Sequence, residues 1–358
     1  MSTQPAVYAF LPSQDDQRQP IFSVLVKRTY DIQADKVLVR AKMDRAFVEA
    51  DEYYADPKTS SLKLETELVP YKVATDVVFI GKAYTSEAVI DCLATLTVGE
   101  HSKTMYIVGD RVCTYLPRQL PFISEPKPFT EMELTYERAY GGRDKTQSEE
   151  ITYPRNHAGV GFVLHNTPEA IEDLILPNIE DPQDKLTPER LIVGDMHHWW
   201  QQPLPQGLSY YAKSWYPRCS YIGVLPAYVP LGSVMPEAKL GLVPKNQVEL
   251  ARSFKLPSLD PRFFNGASLG LALPYLQGHE AIHLQHLSPE GELKFYLPQE
   301  QPLINLDIGE GAQELTALLQ TVLIRESERQ VDLVWQGSLA YPGIHWLPKM
   351  KQCHIYIE

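Results

Sequence analysis

The stretch Ile21–Ile32, IFSVLVKRTYDI, sets β-branched and aromatic residues around one Lys-Arg pair. Such a run favours extended backbone, because branched side chains lose rotamer freedom in a helix and pack well on a pleated surface. Lys36–Val39 follows a short polar break like the second arm of a hairpin. Further along, Val73–Tyr84, Val89–Val98, Thr104–Val108, Val112–Leu116 and Met132–Ala139 repeat the pattern, with Gly, Asp, Pro or Ser between them. Short strands at this spacing predict antiparallel sheets, sandwich or barrel-like, rather than parallel units joined by helices.

From about Gly141 to Pro261 regular periodicity fades and prolines and glycines become dense. The many Tyr and Trp residues there give loops something to bury, so the region reads as ordered loops with short strands rather than disorder. The last third returns to hairpins. Ala281–Leu287 and Glu292–Leu297 flank the turn Ser288-Pro289-Glu290-Gly291, and Leu315–Ile324 and Gln330–Gln336 flank a polar turn. Leu315, Leu318, Leu319 and Val322 also fit one helical face, but the turn and the VDLVW that follow favour a strand. The expected class is α+β, predominantly β, with long ordered loops. Two subdomains are expected, β-rich residues 1–145 and loop- and hairpin-rich residues 146–358, meeting near Gly142–Pro154.

The formal net charge of −12 opposes binding to a phosphate backbone, which depends on clustered Lys and Arg. Cys92, Cys113, Cys219 and Cys353 show no C-x-x-C spacing and read as reduced thiols of a cytosolic protein. The N-terminal residues lack the features of a secretory signal, and the long uncharged stretch Cys219–Pro236 is broken by prolines. A cytoplasmic protein is expected, with no cofactor, no nucleic acid and no membrane as partners.

The sharpest chemical motif is His279-Glu280-Ala281-Ile282-His283, an H-E-x-x-H. On a helix both imidazoles share one face and can hold zinc while the Glu activates water. On a strand their α-carbons stand about 13 Å apart. The preceding Gly278 and the turn soon after favour the strand, leaving a zinc hydrolase with metal ligands His279 and His283 as the alternative. His197-His198-Trp199-Trp200 reads as a loop packed by its tryptophans, and Gly159-Val160-Gly161-Phe162 as a tight turn rather than a dinucleotide site. Lys27-Arg28, Lys72 with Asp76, Asp110-Arg111 and Glu137-Arg138 stand beside apolar runs and read as structural ion pairs or surface charges.

These segments also carry a resemblance. VKRTYDI (Val26–Ile32), ELVPYKVATDVVFIGKAYT (Glu67–Thr85), VGDRV (Val108–Val112), LTYERAYGG (Leu134–Gly142), YPRNHAGVGF (Tyr153–Phe162) and LPNIEDP (Leu176–Pro182) occur in order, followed by SWYPR (Ser214–Arg218) and DPRFFNGAS (Asp260–Ser268). Together they resemble a bacterial family of type VI secretion accessory proteins. The resemblance implies an adaptor or chaperone, without catalytic residues, that binds a toxin effector and helps load it onto the VgrG spike or its PAAR tip. It implies structural roles for Gly141, Gly142, Asn156, Gly161, Asn178, Glu180 and Arg218 alongside the charged residues above. Aromatic residues are enriched at interface cores, so Trp199, Trp200 and Trp215 are the expected partner anchors. A structural component of the secretion apparatus is a further alternative.

Overall fold

The structure, a computed structural model, describes residues 7–15, 17–225, 243–307, 311–340 and 352–357. Its elements are predominantly β, with short helices and 3₁₀ turns between them, and among the described residues no sheet closes into a barrel. The largest sheet has seven strands. Its order is Val7–Gln14, Pro20–Asp31, Gln330–Ala340, Leu318–Arg325, Thr75–Ile80 and Ala272–Leu273, with Val39–Arg40 as the short hairpin arm on Pro20–Asp31. Neighbours pair antiparallel except Leu318–Arg325 with Thr75–Ile80, which run parallel.

Pro20–Asp31 is buried almost throughout because it lies inside this sheet with both of its faces covered. Residues opposite one another share a face, so the register sorts the side chains. Val24, Val26 and Tyr30 lie with Trp335, Leu333, Val331, Val322, Ile324, Val77 and Phe79 on an apolar face. Lys27 and Thr29 lie with Asp332, Thr321 and Asp76 on the other, roofed by the chain between residues 44 and 72.

The second sheet has five strands, ordered Ile179–Glu180, His101–Val108, Asp91–Val98, Ala281–Gln285 and Glu292–Tyr296. Here alternation is clear. Ala94, Leu96, Val98, Met105, Ile107, Ile282, Leu284, Leu293 and Phe295 turn inward, into the same apolar cluster as the large sheet's inner face. Thr95, Thr97, Ser102 and Thr104 turn outward, with hydroxyl pairs Thr95–Thr104 at 2.9 Å and Thr97–Ser102 at 2.8 Å. A separate cluster built on Tyr140, Tyr153, Phe162, Leu164, Ile171, Leu191 and Trp199 organises the loop-rich middle of the chain.

Leu315–Ile324 is extended, as two strands broken at Ala317, and the hairpin Ala281–Gln285 with Glu292–Tyr296 forms with Ala281 opposite Tyr296. Met132–Ala139 departs from expectation. The strand ends at Glu133 and a 3₁₀ turn takes Tyr136–Arg138. There the Glu137 carboxylate accepts bonds from the Ser61 N–H (2.6 Å) and hydroxyl (2.8 Å), while Tyr136 enters the core. The large sheet draws strands from both sides of residue 145. Among the described residues no helix is long and apolar enough to cross a membrane, and residues 226–236 of the uncharged stretch lie outside them.

Candidate functional site

The covered polar face of the large sheet concentrates the charged residues. Lys27 is wholly buried, and its Nζ donates to Glu67 Oε1 (2.8 Å), Glu67 Oε2 (2.7 Å) and the Ala46 carbonyl (3.0 Å). Asp332 accepts from Thr29 Oγ1 at 2.7 Å and Arg325 Nε at 3.0 Å, with Lys27 Nζ 3.8 Å away. Lys72 Nζ donates to Asp76 Oδ2 (2.6 Å) and Thr321 Oγ1 (2.9 Å), and Asp76 also receives Asn265 Nδ2 and the Gly266 N–H. Arg218 grips Glu65 in a two-bonded fork at 2.8 and 2.5 Å and donates to the Tyr211 and Phe263 carbonyls. Charge buried this deeply survives only when paired and hydrogen-bonded, and these groups meet that condition. The arrangement clamps the 44–72 segment and the 211–218 and 263–266 loops onto the sheet.

A second frame holds the middle loops. Arg111 binds Glu180 and the Pro177 carbonyl, and Glu180 accepts the Leu186 N–H. Asn178 Nδ2 donates to the Val108 carbonyl (3.0 Å) and Asp110 (3.1 Å) and its Oδ1 accepts from Arg138 (2.9 Å). Asn156 Nδ2 ties the Tyr136 and Tyr140 carbonyls. Gly141, at φ +150°, passes so close to Asn156 that a Cβ would sit 2.1 Å from its carbonyl oxygen, and one on Gly142 would sit 2.4 Å from that of Gly159. Gly161 likewise takes a left-handed conformation, at φ +93°.

The tryptophans require a correction. Trp199 and Trp215 are 0% and 1% exposed, so neither is available as a partner anchor. Trp199 packs edge-on to Tyr153 and under the Arg155 guanidinium, and Trp215 packs among Tyr136, Tyr211 and His157, donating its indole N–H to His157 Nδ1 at 2.9 Å. A loop-rich segment lacks strand-built core, and its largest rings supply one. Only Trp200 of the three keeps an accessible edge.

The His279–His283 segment is not helical. His283 lies on the strand Ala281–Gln285 and contacts Glu292 at 2.7 Å, whereas His279 precedes that strand and contacts its neighbour's carbonyl. No helix brings the two imidazoles to one face, and among the described residues no group of three His, Cys, Asp or Glu is placed to hold a metal. Cys92, Cys113 and Cys219 are free thiols, while the side chain of Cys353 lies outside the described residues.

Beside the first frame lies a cavity of about 240 Å³, lined by Tyr211, Arg218, Tyr221, Arg262, Asn265 and Ser268 among others. One part of its wall goes unread in the sequence. Gly266-Ala267-Ser268-Leu269-Gly270 has the G-x-S-x-G spacing, the one signal that points to Ser268. Sequence reasoning also misses the carboxylates Glu65, Glu67 and Asp332, which answer Arg218, Lys27 and Arg325 from remote positions.

Residues 17–336 match the bacterial family described as "Uncharacterized protein conserved in bacteria (DUF2169)". The chain belongs to that family. No curated protein and no solved structure matches it.

Proposed function

We propose that the protein is a type VI secretion adaptor that binds a toxin effector and helps load it onto the VgrG or PAAR spike. One observation carries this reading beyond the resemblance. The charged and amide residues of the ordered motif set, Lys27, Lys72, Asp76, Arg111, Asn156, Asn178, Glu180 and Arg218 among them, hold loops in fixed positions, the work of a scaffold that presents a surface. The exterior supplies a contact patch of suitable chemistry. Val112 lies opposite Ile175 and Thr114 opposite Phe122, so Val112, Thr114, Phe122 and Ile175 share the face turned away from buried Cys113, and Phe122 and Ile175 are each 56% exposed. Contiguous exposed apolar side chains on a soluble chain favour partner contact.

Affinity purification of the tagged protein from its own bacterium, at native expression and with mass spectrometry of what accompanies it, tests the reading. Recovery of one toxin-like protein together with VgrG or a PAAR protein supports it. Recovery of neither overturns it, and sheath or baseplate proteins retained after effector deletion point to a structural component instead. Phe122→Asp with Ile175→Asp is expected to abolish effector recovery at unchanged melting temperature. Trp215→Ala is expected to lower the melting temperature itself.

A further inference from the structure

Ser268 of the G-x-S-x-G segment stands in a cluster that neither frame uses. Its Oγ lies 2.8 Å from Lys103 Nζ, 2.9 Å from the Tyr136 hydroxyl and 2.5 Å from the Gly207 carbonyl, to which it donates. Lys103 comes from the five-stranded sheet, where pairing with Leu96 turns it to the inward face. Its Nζ has a further acceptor, the Leu269 carbonyl at 2.6 Å, and among the described residues no carboxylate forms an ion pair with it. The residue as a whole is half-buried, but burial of its amine end pushes its pKa down from the ordinary lysine range to about 7, against a small opposing pull from Asp181. Asp181 and the Tyr136 phenol are the titratable groups near it.

The backbone completes the pattern. The N–H groups of Leu269 and Gly270, directly after the serine, donate no hydrogen bond among the described residues. Gly270 is left-handed at φ +86° with open space beside it, and Ser268, Leu269 and Gly270 all line the 240 Å³ cavity. Unpaired N–H groups following a nucleophile are the donors that stabilise an acyl oxyanion.

We propose that Ser268 is an acyl-accepting nucleophile with Lys103 as its base, and that the cavity takes a small carboxylic ester. The neutral Lys103 amine, which donates to Oγ at rest, turns its lone pair to it, and the serine proton passes from the Gly207 carbonyl to that amine as Oγ bonds to the ester carbonyl carbon. The tetrahedral oxyanion is met by the Leu269 and Gly270 N–H groups. The C–O bond to the alcohol breaks, and the departing alkoxide takes the proton back from Lys103. Water, deprotonated by Lys103, then attacks the acyl-serine; the acid is released and Ser268 recovers its proton. Tyr136, donating to Ser268 Oγ, positions the hydroxyl. The cavity's volume and its Val73, Ala74 and Tyr221 walls suit a short acyl chain.

The full chain is treated with a fluorophosphonate probe and, separately, with p-nitrophenyl acetate. The expected result is a stoichiometric phosphonyl adduct that peptide mapping places on Ser268, with labelling that rises as pH increases through about 7. Ser268→Ala abolishes the adduct, and Lys103→Met slows ester hydrolysis by about a hundredfold or more, the lower range for loss of a general base. Absence of an adduct at Ser268 on the natively folded chain overturns the proposal, as does hydrolysis that persists in Ser268→Ala. Because mapping is done on the unaltered protein, it decides the matter even where a variant fails to fold.

Discussion

The two main sheets use their faces differently. The five-stranded sheet puts one face in the core and the other, with its Thr and Ser pairs, toward solvent, so its strands alternate in sequence. The central strands of the large sheet are covered on both faces, one with apolar side chains and the other with paired charge beneath the 44–72 segment. Where both faces are covered, substitution has nowhere harmless to fall. Where one face is open, tolerance should alternate residue by residue.

That contrast can be broken most forcefully at Lys27. Lys27→Met leaves Glu67 without its cation while Asp332 keeps Arg325, and removal of one partner from such a buried pair costs about 3–5 kcal/mol. Urea unfolding measures it, and Lys27→Met combined with Glu67→Gln is expected to regain part of the loss. A single-variant cost near zero would show that charge does not hold the roof. Next comes Leu96→Ala on the inward face of the five-stranded sheet, expected to lose about 2–5 kcal/mol in the same assay.

A smaller effect is expected from acid. His157 is held below its ordinary value of 6.5, first by burial and then by the Arg143 charge. Between that value and the lower folded one the unfolded chain binds the extra proton, so stability is full above about pH 6.5 and is lost as pH falls through the folded value. His157→Gln is expected to flatten this part of the stability-against-pH curve; an unchanged curve would remove His157 from the account. Thr97→Val, on the solvent face, is expected to change stability by no more than about 0.5 kcal/mol.

The strands were legible where local pattern decided them. Ile21–Asp31 and Leu318–Ile324 are rich in branched and aromatic residues, and the hairpin around Ser288–Gly291 announces itself through its turn residues. Met132–Ala139 misled because a 3₁₀ turn there depends on Ser61, and no local pattern encodes that contact. The fate of Trp199 and Trp215 was equally remote, since an aromatic in a loop suits a core or an interface until its neighbours are known. Ser268 shows the limit most sharply. Its glycine spacing was available all along, but it gains chemical meaning only beside Lys103, 165 positions away in sequence.

The pairing of Pro20–Asp31 with Gln330–Ala340 governs how the chain comes off the ribosome. The Thr29–Asp332 bond spans 303 positions, so Pro20–Asp31 waits for its central neighbour while all of them are made. A sheet closed by so distant a segment pays its loop entropy before any contact rewards it and folds late. While those positions are made the nascent polypeptide carries an exposed sticky ribbon, and its yield in the cell is set by what shields that ribbon until Gln330–Ala340 emerges.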